Sequence, residues 1–211
     1  SKDGYKLFLK KLYEYGFTVI QNCKTEMSSV EKIAKKIGYV RESIFGGLWS
    51  FESNEDKADS AYTQEELRPH TDSTYSNDAP GLQLLLCCHY KASGGESIMV
   101  DGFKIAEKIK NEKKEIYDLL TQIEVTGQYI GDGVFLKAKR PIFRVNSDNE
   151  LIQVSFNNYD RAPFKFSEDK TKKFYEAIKE FDLIANNKEY QWRHVLKPGE
   201  LLIFNLSLIH I

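Results

Sequence analysis

From residue 80 onward the chain is punctuated by turn-forming pairs, each followed by a short apolar run. Pro80-Gly81 precedes the run at 82–88, and Gly94-Gly95 leads into Ile98-Met99-Val100. Pro198-Gly199 separates a run at 190–196 from another at 201–204. Runs this short, bounded by Pro and Gly, read as strands joined by turns. Further runs at 123–130, 142–145 and 151–156 read the same way, as does 17–20. Residues 44–51 resemble a strand interrupted by Gly46-Gly47, and 52–69 is a polar loop. Helical periodicity is confined to a few places. Asp3 can cap a helix with Tyr5, Phe8, Leu9 and Leu12 on one face, ending near Gly16. A second helix starts at 25–28 with Val30, Ile33, Ala34 and Ile37 inside and stops at Gly38. Asp101 can cap a third through Ile105, Ala106 and Ile109. Ser167 can cap a fourth with Phe174, Ile178, Phe181 and Ala185 on one face. Strand and helix do not alternate regularly, which argues against a parallel α/β fold. The pattern predicts a mainly β protein with flanking helices, built as a two-sheet antiparallel jelly roll.

The chain has 211 residues, enough for one domain with a real core. Thirty basic residues balance 31 acidic ones without blocks of one sign, so a nucleic-acid groove or a membrane-surface patch is not expected. The three cysteines, Cys23, Cys87 and Cys88, show no disulfide or zinc spacing, and buried thiols in a reducing compartment are the expectation. No run approaches the length of a membrane-spanning helix. The chain opens on Ser1-Lys2-Asp3 and closes on Ile211, and a fragment is expected, lacking an N-terminal domain and the C-terminal end.

Chemistry enters at His70-Thr71-Asp72. A His and an Asp two residues apart in a loop can present a ring nitrogen and a carboxylate oxygen to one point. With one more His they form the 2-His-1-carboxylate face of a non-heme Fe(II) oxygenase, which leaves the opposite coordination positions open. His210, far downstream in a strand context, is the candidate third ligand. The tripeptide alone is a weak signal, because Asp after Thr is also common in turns and helix caps.

The surroundings of that tripeptide strengthen it. Ser60-Ala61-Tyr62-Thr63, His70-Thr71-Asp72, Gly94-Gly95 with Val100-Asp101-Gly102-Phe103, and Phe156-Asn157-Asn158-Tyr159-Asp160-Arg161 occur in that order. In this set the chain resembles the γ-butyrobetaine dioxygenase family, the Fe(II)/2-oxoglutarate oxygenases of carnitine biosynthesis, from about residue 15 to 205. The resemblance implies a double-stranded β-helix and a single catalytic domain over 1–211. It implies Fe(II) held by His70, Asp72 and His210, 2-oxoglutarate and O2 as co-substrates, and ascorbate as reductant. Leu85 and Ser97 match positions lining the co-substrate pocket. Phe45, Trp49 and Tyr62 match an aromatic cage for a quaternary ammonium substrate, which rings hold by cation–π attraction because it has no hydrogen to donate. Asn157 matches a residue at the polar end of the substrate. Asp59 favours N6-trimethyllysine, whose far end carries an ammonium, over γ-butyrobetaine, whose far end is only a carboxylate that Asp59 would repel. Implied too are a homodimer and a mitochondrial location, with the cytoplasm as alternative.

The family pattern is left at one place. This chain reads Asn205-Leu206-Ser207-Leu208-Ile209-His210-Ile211 where relatives have Trp and Arg after the Asn and Gly-Arg after the His. The Arg that pairs with 2-oxoglutarate falls beyond Ile211. Two alternatives stay open: γ-butyrobetaine as substrate, or a non-catalytic jelly-roll binding module with an incomplete metal site. His89 and His194 are expected as surface or strand residues, not ligands.

Overall fold

A computed structural model of the chain describes residues 2–50, 67–78, 81–131 and 133–206, with the backbone of 209–210. The helices are α1 (Lys2–Tyr15), α2 (Met27–Ile37), α3 (Gly102–Glu112), α4 (Lys114–Gln122) and α5 (Glu168–Ala185). The first five strands are β1 (Phe17–Ile20), β2 (Leu82–Leu86), β3 (Ser97–Asp101), β4 (Glu124–Gly131) and β5 (Val134–Pro141). The rest are β6 (Phe143–Val145), β7 (Leu151–Val154), β8 (Gln191–His194), β9 (Leu201–Asn205) and β10 (Ile209–His210). Helices hold more of the described residues than strands do, so the architecture is mixed helix and antiparallel sheet, not mainly β. Two compact units emerge. One combines Ser1–Arg68, Leu82–Ser97 and His194–Phe204; the other combines Pro69–Gly81, Ile98–Arg193 and Asn205–Ile211.

The first unit is organised by a three-stranded sheet in the order β1-β9-β2. β9 is central, and Leu201, Leu202, Ile203 and Phe204 are all fully buried, which explains its unbroken apolar run. β1 lies antiparallel to it, with Phe17 opposite Phe204 and Ile20 opposite Leu201. Leu201 and Ile203 pack with Phe8 and Leu12 of α1, and with Val30, Ile33 and Ile37 of α2. Leu82, Leu84 and Leu86 of β2 join the same core. Strand alternation therefore turns Leu85 to the opposite face. Gly199 has φ +86°, and a Cβ there would lie 2.9 Å from the Cys23 carbonyl oxygen, so the turn before β9 requires glycine. Of the strand expected at 44–51, residues 44–50 are described, and they open on a tight turn. Ser43 and Gly46 exchange backbone hydrogen bonds of 3.0 Å each way, and Gly46 takes φ +88°.

In the second unit α3, α4 and α5 enclose a core with Phe143, Val154 and Phe156. α5 buries Phe174, Ala177, Ile178, Phe181, Ile184 and Ala185, the three-and-four spacing of an amphipathic helix. The Asp101 carboxylate accepts from the N–H groups of Phe103 and Lys104, the expected N-cap. Ser167 occupies the N-cap of α5 but its hydroxyl makes no capping bond; its carbonyl accepts from Thr171 N–H instead. The strands form a sheet ordered β10-β3-β8, the β4–β5 hairpin and the β6–β7 pair. No described helix is long and apolar enough to cross a membrane. The thiols depart from expectation: Cys88 is exposed and Cys23 and Cys87 are half-buried. Burial pushes the Cys23 and Cys87 thiols upward from their ordinary pKa.

Candidate metal centre

The second unit holds His70, Thr71 and Asp72 on an irregular loop, with His70 and Thr71 buried and Asp72 partly open. His70 Nε2 and Asp72 Oδ1 are 3.3 Å apart. Two cis ligands on bonds of about 2.1 Å, at right angles, stand about 3.0 Å apart. A charge-assisted N–H···O bond is shorter, about 2.7–2.9 Å. The 3.3 Å separation is compatible with neighbouring ligands of one ion, and the chemistry of the pair, one imidazole and one carboxylate, fits Fe(II).

What sets that spacing lies between the two residues. Thr71 N–H donates to the Phe156 carbonyl at 2.6 Å. The Thr71 hydroxyl accepts from Phe156 N–H at 2.8 Å and stands 3.3 Å from the Phe156 oxygen, to which it donates. The Thr71 carbonyl accepts from Asn157 Nδ2 at 3.2 Å. Asn157 is also engaged elsewhere. Nδ2 donates to Asp160 Oδ2 at 3.0 Å, and Oδ1 accepts from the N–H groups of Tyr159 and Asp160. Both of its donors and both acceptor lone pairs are thus used within the chain. The Tyr159 ring meets His70 edge-on, with centroids 5.7 Å apart. The turn is itself held to β4: Gln128 N–H donates to the Asp160 carbonyl, and Ala162 N–H to that of Thr126. On the other side of the loop, a Cβ on Gly127 would come within 2.5 Å of the Thr74 carbonyl, so β4 can approach this closely only with glycine there.

The other predicted site residues are distributed as follows. Asn157 belongs to the unit that holds His70 and Asp72, whereas Leu85, Ser97, Phe45 and Trp49 belong to the first unit. Phe45 and Trp49 form an aromatic pair, with centroids 5.8 Å apart and planes tilted by 36°. Trp49 is 43% exposed, so it is not a core residue. Asp59 and Tyr62 lie outside the described residues, as does the side chain of His210. The backbone of His210 is described and pairs with Val100 of β3. Among the described residues no group of three or more His, Cys, Asp and Glu could hold a metal. The loop of Thr71 with Phe156 and Asn157 went unread in the sequence. The only available signal was Asn157-x-x-Asp160, the spacing of a turn closed by an amide side chain.

A second His–carboxylate pair sits in the first unit. His194 Nε2 is 2.7 Å from Glu200 Oε2, which also accepts from Lys197 N–H at 3.0 Å. Gln21 Nε2 donates to Glu200 Oε1 at 3.2 Å. The Lys197 amide and then His194 hold the Glu200 carboxyl below the usual carboxylate range. An open, polar cleft of about 800 Å³ adjoins it, lined by Gln21, Cys23, Lys24, Lys197 and Glu200 among others. Of the described residues expected to bind iron or substrate, none lines it.

Comparison with known proteins agrees with this chemistry. The model of the taurine catabolism dioxygenase TauD, TfdA family matches residues 1–210, and the chain belongs to that family. It is 36% identical over 210 residues to a trimethyllysine dioxygenase of Meyerozyma guilliermondii, covering 97% of this chain and 53% of that one. It is 31% identical to the mitochondrial trimethyllysine dioxygenase of Rattus norvegicus over 217 residues, 100% of this chain and 52% of that one. A human gamma-butyrobetaine dioxygenase is 28% identical over 215 residues, 100% of this chain and 55% of the relative. The chain thus spans about half the length of these curated relatives. Among solved structures, a taurine dioxygenase from Burkholderia xenovorans shares the fold, with a TM-score of 0.68 at 12% identity over 100% of this chain and 74% of that one.

Proposed function

We propose that this chain is the catalytic part of an Fe(II)- and 2-oxoglutarate-dependent oxygenase that hydroxylates N6-trimethyllysine at C3, the opening step towards carnitine. The observation that carries the reading is His70 and Asp72 held 3.3 Å apart in a member of the TauD family. In this reading the strands belong to a double-stranded β-helix, and the two units together make one catalytic domain. His70, Asp72 and His210 would hold the iron. The chemistry supplied when Fe(II), 2-oxoglutarate and O2 are bound is oxidative decarboxylation to succinate and CO2, coupled to insertion of one oxygen atom into a C–H bond. The remaining residues bind, orient and exclude water. Leu85 and Ser97 would line the co-substrate pocket. Phe45, Trp49 and Tyr62 would hold the trimethylammonium group. Asp59 would meet the substrate's α-ammonium, and Asn157 would shape the polar end of the pocket through the turn it closes. Ascorbate would keep the iron reduced, the active form would be a homodimer, and mitochondria would be its location, as the names of the vertebrate relatives suggest.

The test is succinate release by the purified protein with Fe(II) and 2-oxoglutarate. Trimethyllysine-dependent succinate, matched by hydroxylated product, supports the reading; its absence counts against it. The second reading, γ-butyrobetaine as substrate, is favoured by the relative of that name. Turnover of both betaines by the wild type and by Asp59→Asn separates the two. A swing towards butyrobetaine in the variant supports Asp59 as the selector, and no swing removes that role.

A further inference from the structure

We propose that the Thr71 hydroxyl is a positioning residue for the metal centre, setting the spacing of His70 and Asp72 by bonding in both directions to the backbone of Phe156. This rests on the oxygenase reading and deepens it. A two-residue spacing between ligands leaves the intervening backbone as the only direct link between them. If that peptide rotates, the imidazole and the carboxylate swing apart together. Here it is pinned at three atoms. The Thr71 amide donates to Phe156, its hydroxyl accepts from Phe156 N–H and donates to Phe156 O, and its carbonyl is taken by the Asn157 side chain. These bonds cross 85 or 86 residues of chain and lie in a buried setting, since Thr71 is 4% and Phe156 3% exposed. Water cannot readily replace a partner there, so the hydroxyl is the only group on Thr71's side chain able to satisfy Phe156 N–H.

The same clamp reaches the segment that follows. Asn157 gives one amide hydrogen to Thr71 and the other to Asp160, while its oxygen closes the turn to Tyr159, whose ring lies against His70. Metal-ligand spacing and the 157–160 turn are therefore fixed by one set of bonds. A hydroxyl lost at Thr71 releases both, so the consequence is a looser metal site and a poorer match between co-substrate decay and substrate hydroxylation. Outer partners of metal ligands are worth about 10–100-fold in metal affinity or activity.

The experiment uses the full chain, stripped of metal and titrated with Co(II), whose visible absorption reports the ligand field. Thr71→Val keeps the shape and removes the hydroxyl; Thr71→Ser keeps the hydroxyl and removes a methyl. The expectation is Co(II) binding weakened about tenfold in Thr71→Val with a changed spectrum, and affinity within about twofold with an unchanged spectrum in Thr71→Ser. The ratio of succinate to hydroxylated product rises in Thr71→Val alone. Wild-type affinity and spectrum in Thr71→Val, even with a lowered melting temperature, would mean a merely structural role and overturn the proposal. So would Thr71→Ser falling as far as Thr71→Val. Should Thr71→Val not fold, the serine variant decides through its spectrum, unchanged for the proposal and changed against it. A wild type that binds no Co(II) overturns this and the oxygenase reading together; a wild type that binds it, with both variants alike, overturns this alone.

Discussion

Two His–carboxylate pairs in one chain make different use of the same groups. His194 and Glu200 approach to 2.7 Å, and the carboxylate also takes the Lys197 N–H and the Gln21 amide. Three of the carboxylate's acceptor sites are thus taken within the chain, and the Glu200 side chain is only 9% exposed. His70 and Asp72 stop at 3.3 Å, and the Asp72 side chain is 37% exposed. Here the bonds described go to Thr71, between the two residues. The first pair is closed by its neighbours and ties β8 to the turn before β9. The second is held open by them. Residue type does not tell these two pairs apart; where the surrounding donors are aimed does.

Removing Asp72 breaks the comparison most sharply. Asp72→Ala deletes a ligand outright and should weaken Fe(II) or Co(II) binding by more than about a hundredfold, beyond what outer partners contribute. Glu200→Ala should leave metal affinity within about twofold in the same titration. Isothermal calorimetry on metal-free protein checks both, and equal losses in the two variants would erase the distinction drawn between the pairs.

Stability should invert that order. Glu200→Ala removes the charged acceptor of the Lys197 amide and the Gln21 side chain in a part-buried place, at a cost of about 1–2 kcal/mol. Urea unfolding monitored by circular dichroism reads this as a lower midpoint at unchanged slope. Asp72→Ala should cost less than about 1 kcal/mol in the absence of metal, because Asp72 is partly open and its one described partner is His70.

The aromatic pair tests the substrate side. Phe45 and Trp49 form a tilted couple with Trp49 partly in solvent, a poor arrangement for core and a usable one for a cation. Trp49→Ala should raise the KM for trimethyllysine by about 2–30-fold, the range of about 0.5–2 kcal/mol for one ring. The kcat should be little changed, and Trp49→Phe should recover most of the loss. Steady-state succinate assays decide, and an unchanged KM would return Trp49 to an ordinary surface residue.

How far the sequence could be read follows the range of the interactions involved. β9 was legible because all four of its apolar residues are buried, and the Asp101 cap because it needs only residues two and three positions on. β5 was not. Val134, Leu136 and Ala138 turn inward, but Lys137, Lys139 and Arg140 give that stretch the look of a charged loop. The expected strand at 44–51 failed because Gly46 is used for its positive φ and turns the chain. At the candidate site, the approach of His70 to Asp72 could be read from their two-residue spacing. The clamp on Thr71 could not, since its partners are 85 and 86 residues away and become neighbours only once the chain has folded.

The smallest expected effect is in the acid limb of stability, and it asks whether the His194–Glu200 pair is held by its charge. The Lys197 amide, then His194, hold the Glu200 carboxyl below the ordinary range in the folded state. Its folded value is therefore lower than its unfolded one, near about 4.3. Folding then favours the ionised form, so this contribution is complete above the unfolded value and is lost as pH falls through the folded one. Glu200→Gln keeps an acceptor for the amides but cannot ionise. Its stability should change less between pH 5 and 3 than that of the wild type, on melting curves taken without metal. Parallel acid slopes in the wild type and Glu200→Gln would show that the closed pair is held by shape alone and not by its charge.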